Sequence, residues 1–261
     1  MTMANRAFLN RFSDEEDRLL AARAADAVLL AQRRRTPQFL PFLDLASQRV
    51  AEEALAAVGC GRYALFGGFP DAERRMLGIG FEEPPTPADF PLTCLRAETA
   101  GFCTLSHRDY LGTVMGLGIT RDKVGDIVAD AKGAYLFIAE ELADFAAGQL
   151  TRIGGAGART VRLESLPALD GAALFVPREG VIASARMDCV VGELAHLARG
   201  RASEVILAGA VKHMGKICKD RTKTVAEGDV ITIRGVGKFR IRDLSGRTKK
   251  DHIVLKAEQY R

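Results

Sequence analysis

The sequence predicts an α+β protein of more than one domain. Three observations carry that expectation. Apolar residues recur at helical spacing in some stretches and at alternate positions in others. Residues 91–164 run strand, helix, strand, strand, helix, strand. The last third of the chain compresses two short helices and several basic strands into one cationic segment. At 261 residues, 48% hydrophobic and 27% charged, the chain has the make-up of a globular protein with length for two or three domains.

The first helix is expected over residues 13–35. Ser13 and Glu16 have capping-box spacing, Asp14, Glu15, Glu16 and Asp17 load the first turn with acid, and Arg33, Arg34 and Arg35 close the last. Leu20, Ala24, Ala27, Val28 and Ala31 form its apolar stripe, and Pro37 stops it. A second helix is read from Phe42 to Val58, with Gly59 as left-handed cap. Two short strands, YALFGGF and RRMLGIGF, follow around a Pro70-Asp71 turn. GCGRYALFGGF lacks the Lys-Ser/Thr ending of a phosphate loop, so its glycines are read as turn formers. Four prolines in EEPPTPADFP mark a boundary.

In the middle region the strands are PLTCLRAE, DIVA, AYLFI and RTVRLE, with helices at about residues 107–117 and 139–150. Ser106 caps the first helix, Gly118 stops it, and Asp130-Ala131-Lys132-Gly133 turns between the middle strands. This order predicts a ferredoxin-like βαββαβ sheet with both helices on one face, the architecture of RNA-recognition modules among others. AYLFIAEE offers only Tyr135 and Phe137 as rings, so the aromatic signature of those modules is missing. His107, Arg108 and Tyr110 stand at a helix start, where exposed amides attract phosphate, and are the candidate RNA contacts of this domain. Residues 148–158 read as a loop and 165–180 as a second linker. The expected domains are therefore 1–83, 88–166 and 180–261.

The charge is local. From residue 183 onward there are 17 Lys and Arg against 9 Asp and Glu, a net of +8, whereas the preceding residues carry −4. A focused excess of this kind points to a polyanion. Ser184 is read as the cap of a helix with stripe Met187, Val190, Val191, Leu194 and Leu197. Arg199-Gly200-Arg201 is read as a surface corner, and residues 202–208 as a second helix. In KFRIRD, Phe239 and Ile241 point one way and Lys238, Arg240 and Arg242 the other. Three cations on one strand face repel unless solvent or a polyanion screens them, so the arrangement favours binding over mere solubility. The candidate phosphate contacts are Arg186, Arg199, Arg201, Lys212, Lys216, Lys219, Lys238, Arg240, Arg242, Lys249 and Lys250.

SARMDCVVGELAHLARGRASEVILAGAVKHMGK followed by EGDVITIRGVGKFRI resembles the RNA-binding domain first recognised in ribosomal protein S-four. His213 stands where that family usually has Asn. HRDYLGTVMGLGITRDKVGDI and RGVGKFRI are similar to the recognisable motifs of the YlmH family. That resemblance implies a helical and β amino-terminal region, a ferredoxin-like middle and a small α+β S-four-type end. It also implies an RNA-binding, ribosome-associated protein with a part in handling stalled large subunits that still carry peptidyl-tRNA, encoded near cell-division functions.

Other function classes find little support. The five cysteines (Cys60, Cys94, Cys103, Cys189, Cys218) have no C-x-x-C spacing and the four histidines form no metal-binding pattern, so neither a metal nor a cofactor is expected. No apolar run approaches a bilayer span and no signal core opens the chain. A cytoplasmic monomer without membrane insertion is expected. The alternative is an RNA-modifying enzyme, a pseudouridine synthase or methyltransferase, using the terminal domain as an anchor. It would need a catalytic Asp in a Gly-Arg-Leu-Asp context or a glycine-rich cofactor loop after a strand, and neither is present. The reading reached is a non-enzymatic binder of structured RNA, rRNA or tRNA on the ribosome.

Overall fold

The computed structural model describes residues 3–99, 105–169 and 174–260, so Cys103 and part of the 165–180 linker lie outside it. The protein is α+β: among the described residues it has six α-helices and three antiparallel sheets. It divides into two compact units, Met1–Leu169 and Asp170–Arg261.

In the first unit, α1 spans Glu15–Arg34. Its cap is Asp14 rather than Ser13: the Asp14 carboxylate accepts from the amides of Glu16 (2.8 Å) and Asp17 (3.3 Å). The carboxylate also meets the positive end of the helix dipole. Arg35 ends the helix in the left-handed region at φ 54. Ala21, Ala24, Val28 and Ala31 are buried and pack with Ala51, Ala54 and Leu55 of α2 (Leu45–Ala57) in one core. The expected start of α2 at Phe42 is corrected. Phe42 and Leu43 belong to β1 (Gln38–Leu43), and Asp44 caps α2 by accepting from the Ser47 amide at 2.9 Å. Apolar residues of a buried strand and a buried helix look alike over so short a run. Pro41, which has no amide to donate, falls at a register shift of β1 against its neighbouring strand over residues 75–79. With β2 (Tyr63–Phe66) and β3 (Arg75–Ile79), the strands order β1-β3-β2.

The second sheet of this unit holds β4 (Leu92–Thr99), β5 (Val124–Asp130), β6 (Gly133–Ala139), β7 (Arg152–Ile153) and β8 (Ala156–Arg162), in the order β5-β6-β4-β8-β7. Helices α3 (His107–Gly116) and α4 (Ala143–Gln149) share a core with Leu95, Ala97, Leu136 and Ile138 of this sheet. The expected helix over 139–150 is shorter than read, because Ala139 completes β6 and Glu140–Leu142 form a 3-10 turn. Residues 148–158 are not a loop throughout: β7 and β8 pair as a hairpin over Gly154 (φ 52) and Gly155 (φ 88).

Residues 67–74 join the two sheets of the first unit. Asp126 accepts from the amides of Glu73 (2.5 Å) and Arg74 (3.2 Å). The Arg74 guanidinium donates to the carbonyls of Phe42 (2.9 Å), Val124 (3.0 Å) and Arg121 (3.1 Å). Phe69 packs on Phe137 with ring centroids 4.9 Å apart. Gly68 has φ +101, and a Cβ there would stand 2.2 Å from the Phe137 ring. Gly68→Ala is expected to cost about 2–4 kcal/mol, since it adds a clash to a backbone shape that L residues avoid. Urea denaturation should show a lower midpoint at unchanged slope.

In the second unit, β9 (Phe175–Ile182) pairs along its length with β14 (Ile253–Tyr260), so the expected linker is strand from Phe175 onward. Pro177 and Gly180 disguise it, and β9 tolerates a proline because it is an edge strand. The sheet order is β11-β10-β12-β13-β14-β9, with β10 (Val211–His213), β11 (Lys216–Ile217), β12 (Val230–Ile233) and β13 (Gly237–Asp243). Helices α5 (Met187–Leu194) and α6 (Arg199–Leu207) cover it, burying Met187, Val190, Val191 and Ile206 against Ile231, Phe239 and Ile241.

Candidate nucleic-acid interface

The start of α5 organises the charged surface of the second unit. Ser184 does not cap this helix. Arg186 holds the cap position without a capping side chain, and the first amides donate to a loop: Met187 N–H to the Lys223 carbonyl (2.8 Å), Asp188 N–H to the Arg221 carbonyl (3.0 Å). The loop's backbone thus seals the helix end, while the Lys219, Arg221 and Lys223 side chains stay exposed. The sequence reading included Lys219 and missed Arg221 and Lys223. The charge run KDRTK was visible, but the backbone bonds that fasten it to α5 leave no trace in residue type.

Asp188, 2% exposed, is the anchor of this surface. Its Oδ1 and Oδ2 accept from Nε (3.1 Å) and Nη2 (2.9 Å) of Arg186, and Oδ2 also from Nε of Arg199 (3.0 Å). The Arg186 hydrogen bonds, joined by Arg199 and opposed by burial, hold the Asp188 carboxyl well below the usual carboxylate range. One buried carboxylate therefore fixes two guanidinium groups, and the side chains of Arg186 and Arg199 remain 37% and 60% exposed. Their outer N–H groups stay available to a phosphate, and pre-positioning lowers the entropy cost of each contact. Arg199-Gly200-Arg201 is the first turn of α6 rather than a corner outside it. Arg201 makes an exposed pair with Glu204, of a kind that contributes little and exchanges readily.

The remaining candidates separate. Lys212 on β10 and Lys216 on β11 are exposed at one edge of the sheet, and Lys249 and Lys250 lie in the turn before β14. The expectation that the three β13 cations share a face unscreened from within the protein, and so favour binding, is corrected. Glu258 of β14, opposite Arg240, accepts from Arg240 (Nη2, 2.8 Å) and pairs with Arg242 (2.9 Å). The Arg240 guanidinium also lies 4.2 Å from the Phe175 ring centroid, and Lys238 Nζ 4.9 Å from that of Tyr260. The strand face is compensated within the sheet by residues of β9 and β14 that no local pattern linked to it. His213, 7% exposed, sits with Nε2 2.7 Å from Asp229 Oδ2, an internal contact.

In the middle sheet's domain, His107 and Arg108 are exposed, but Tyr110 is 2% exposed and belongs to the core, so it is withdrawn as an RNA contact. This helix start already holds an acid of its own. Asp109 closes a capping box with Ser106, accepting from its amide (2.7 Å) and hydroxyl (2.8 Å), so a carboxylate already fills the anion position. Those hydrogen bonds hold the Asp109 carboxyl below its ordinary value.

An antiparallel α+β chain that fixes exposed guanidinium groups on a buried carboxylate has the build of a polyanion-binding protein. Comparison with known proteins finds relatives of this chain. Residues 85–170 match the family described as "Putative RNA-binding domain in YlmH". Over 244 residues the chain is 31% identical to the Ribosome-associated protein quality control protein P2 of Bacillus subtilis (strain 168), covering 91% of this chain and 93% of that protein. The solved cell division protein ylmH from Streptococcus pneumoniae is 21% identical, covering 58% of this chain and 93% of its own, with a TM-score of 0.49. The chain belongs to the YlmH family, and it is a homologue of a ribosome-associated quality control protein. Among the described residues, no helix is long and apolar enough to cross a membrane.

Proposed function

We propose that this protein is a non-catalytic binder of structured RNA that attaches to the ribosome, through rRNA or tRNA of the large subunit. Its role in this reading is translation quality control on stalled complexes that still hold peptidyl-tRNA, carried out in the cytoplasm by a monomer. The observation that carries the proposal is the Asp188 anchor, with Arg186 and Arg199 fixed on it and Lys219, Arg221 and Lys223 on the loop that seals the same helix end. Such groups set affinity through phosphates, while the shape of the RNA sets choice.

Residues 180–261 are read as an S-four-type domain, residues 88–166 as ferredoxin-like and residues 1–83 as an α+β amino-terminal region. The strand order β5-β6-β4-β8 with α3 and α4 on one face supports the second of these. The similarity over 91% of the chain to the Bacillus subtilis quality control protein supports the ribosomal setting. Crosslinking the protein to RNA in cells and sequencing the attached fragments tests the proposal. Crosslinks concentrated on one ribosomal element or on tRNA are expected, and crosslinks scattered over messenger RNA would refute it.

A further inference from the structure

Among the described residues, the helices packed on the middle sheet, α3 and α4, lie on one face. On the other, strand pairing sets Val128, Tyr135, Arg96 and Val161 in one row, with Phe137 beside Cys94 in the next. Sheets of this strand order that read RNA stack unpaired bases on aromatic rings of their central strands, on this face. Tyr135 and Phe137 stand two apart on central strand β6, where such rings would be.

The chain covers both rings itself. Phe69 packs on Phe137, and Gly68 brings its backbone so close to that ring that a Cβ would clash. The segment that delivers them is fastened by the bonds of Asp126 and Arg74. Over Tyr135 lies the Arg96 guanidinium, 4.5 Å from the ring centroid, held by two hydrogen bonds to Asp130 (2.8 and 3.0 Å). A guanidinium is planar and stacks on rings as a base does. At 9% exposed, Arg96 is seated against the sheet rather than displayed on it.

We infer that residues 67–74 and Arg96 are built-in occupants of the base-stacking face, so that the middle sheet admits no unpaired base and the chain selects base-paired RNA. This rests on the proposed RNA-binding function and narrows its ligand. The amino-terminal region supplies one occupant, residues 67–74 over Phe137, and the sheet's own Arg96 supplies the other, over Tyr135.

The experiment titrates the full chain against an RNA hairpin and against a single-stranded RNA carrying a central 2-aminopurine, whose emission falls when it stacks on a ring. With the wild-type protein the hairpin binds, and any binding of the single strand leaves 2-aminopurine emission unchanged. Tyr135→Leu leaves hairpin affinity unchanged. Arg96→Ala, which uncovers Tyr135 without entering the core, acquires 2-aminopurine quenching, and adding Tyr135→Leu removes it. Quenching by the wild-type protein that Tyr135→Leu abolishes would overturn the inference. So would an Arg96→Ala protein with an unchanged melting temperature and no quenching. Failure of the wild-type chain to bind the hairpin would defeat the RNA-binding reading itself, whereas hairpin binding accompanied by ring stacking of the single strand defeats only the occupant inference.

Discussion

Reversing charge at Arg199 and Arg201 together is expected to weaken binding of the protein to ribosomes or to an RNA hairpin by about a hundredfold at 0.1 M salt. Each phosphate that is no longer neutralised keeps nearly one counterion that binding would have released, close to a factor of ten at that salt. The same change should flatten the slope of log affinity against log salt by about two units. Both residues lie in the first turn of α6 with side chains 60% and 68% exposed. Arg199→Glu also sets a second carboxylate beside buried Asp188, so the melting temperature is measured with the affinity, and Arg201→Glu alone should lose about tenfold with the fold intact. Arg240→Glu is the contrast: its partner Glu258 and the Phe175 ring are internal, so it should lower stability before affinity. Fluorescence anisotropy across a salt series decides, and an unchanged slope for the Arg199/Arg201 variant would remove these residues from the interface.

Asp188→Asn should cost about 2–3 kcal/mol of stability in the second unit and weaken RNA binding as well, although the substitution makes the protein less negative. Breaking a buried charge pair typically costs about 3–5 kcal/mol, discounted here because the two arginines remain partly solvated. The pH dependence gives the sign. The Asp188 carboxyl is held below its unfolded value, so its contribution is complete above roughly pH 5 and is lost as pH falls through the acid range toward the folded pKa. The wild-type protein should lose stability on acidification more steeply than Asp188→Asn, measured by chemical denaturation at a series of pH values. Equal slopes would mean that the carboxylate does not anchor the arginines in solution.

The order of elements was legible in the sequence wherever a local pattern expresses it. The stripe of α5, the alternation of Phe239 and Ile241, and the cap and stop of α3 at Ser106 and Gly118 are properties of neighbouring residues. Strands that depend on distant partners were not legible. β1 hid inside an apolar run that also fits a helix, and β9 hid behind Pro177 and Gly180, because only β14 reveals that its edge is paired. The candidate site divides in the same way. Clustered charge was evident from composition, but how far a cation stays exposed while paired with an acid depends on distant partners: Arg199 on Asp188 keeps a side chain 60% exposed, Arg240 on Glu258 one only 14% exposed. Asp188 escaped notice as an anchor because its partners come from the residue before α5 and the first residue of α6.

The pairing of β9 with β14 also bears on how the protein is made. Arg178 on β9 donates to Gln259 on β14 across 81 residues of sequence. A chain emerging in order from its own ribosome therefore exposes β9, with its backbone unpaired, until β14 has been synthesised. Interruption of translation between α6 and β14 leaves α5, α6 and their arginines attached to an incomplete sheet. Such fragments would be open to degradation, so the proposed RNA-binding surface would persist only on chains read through to β14.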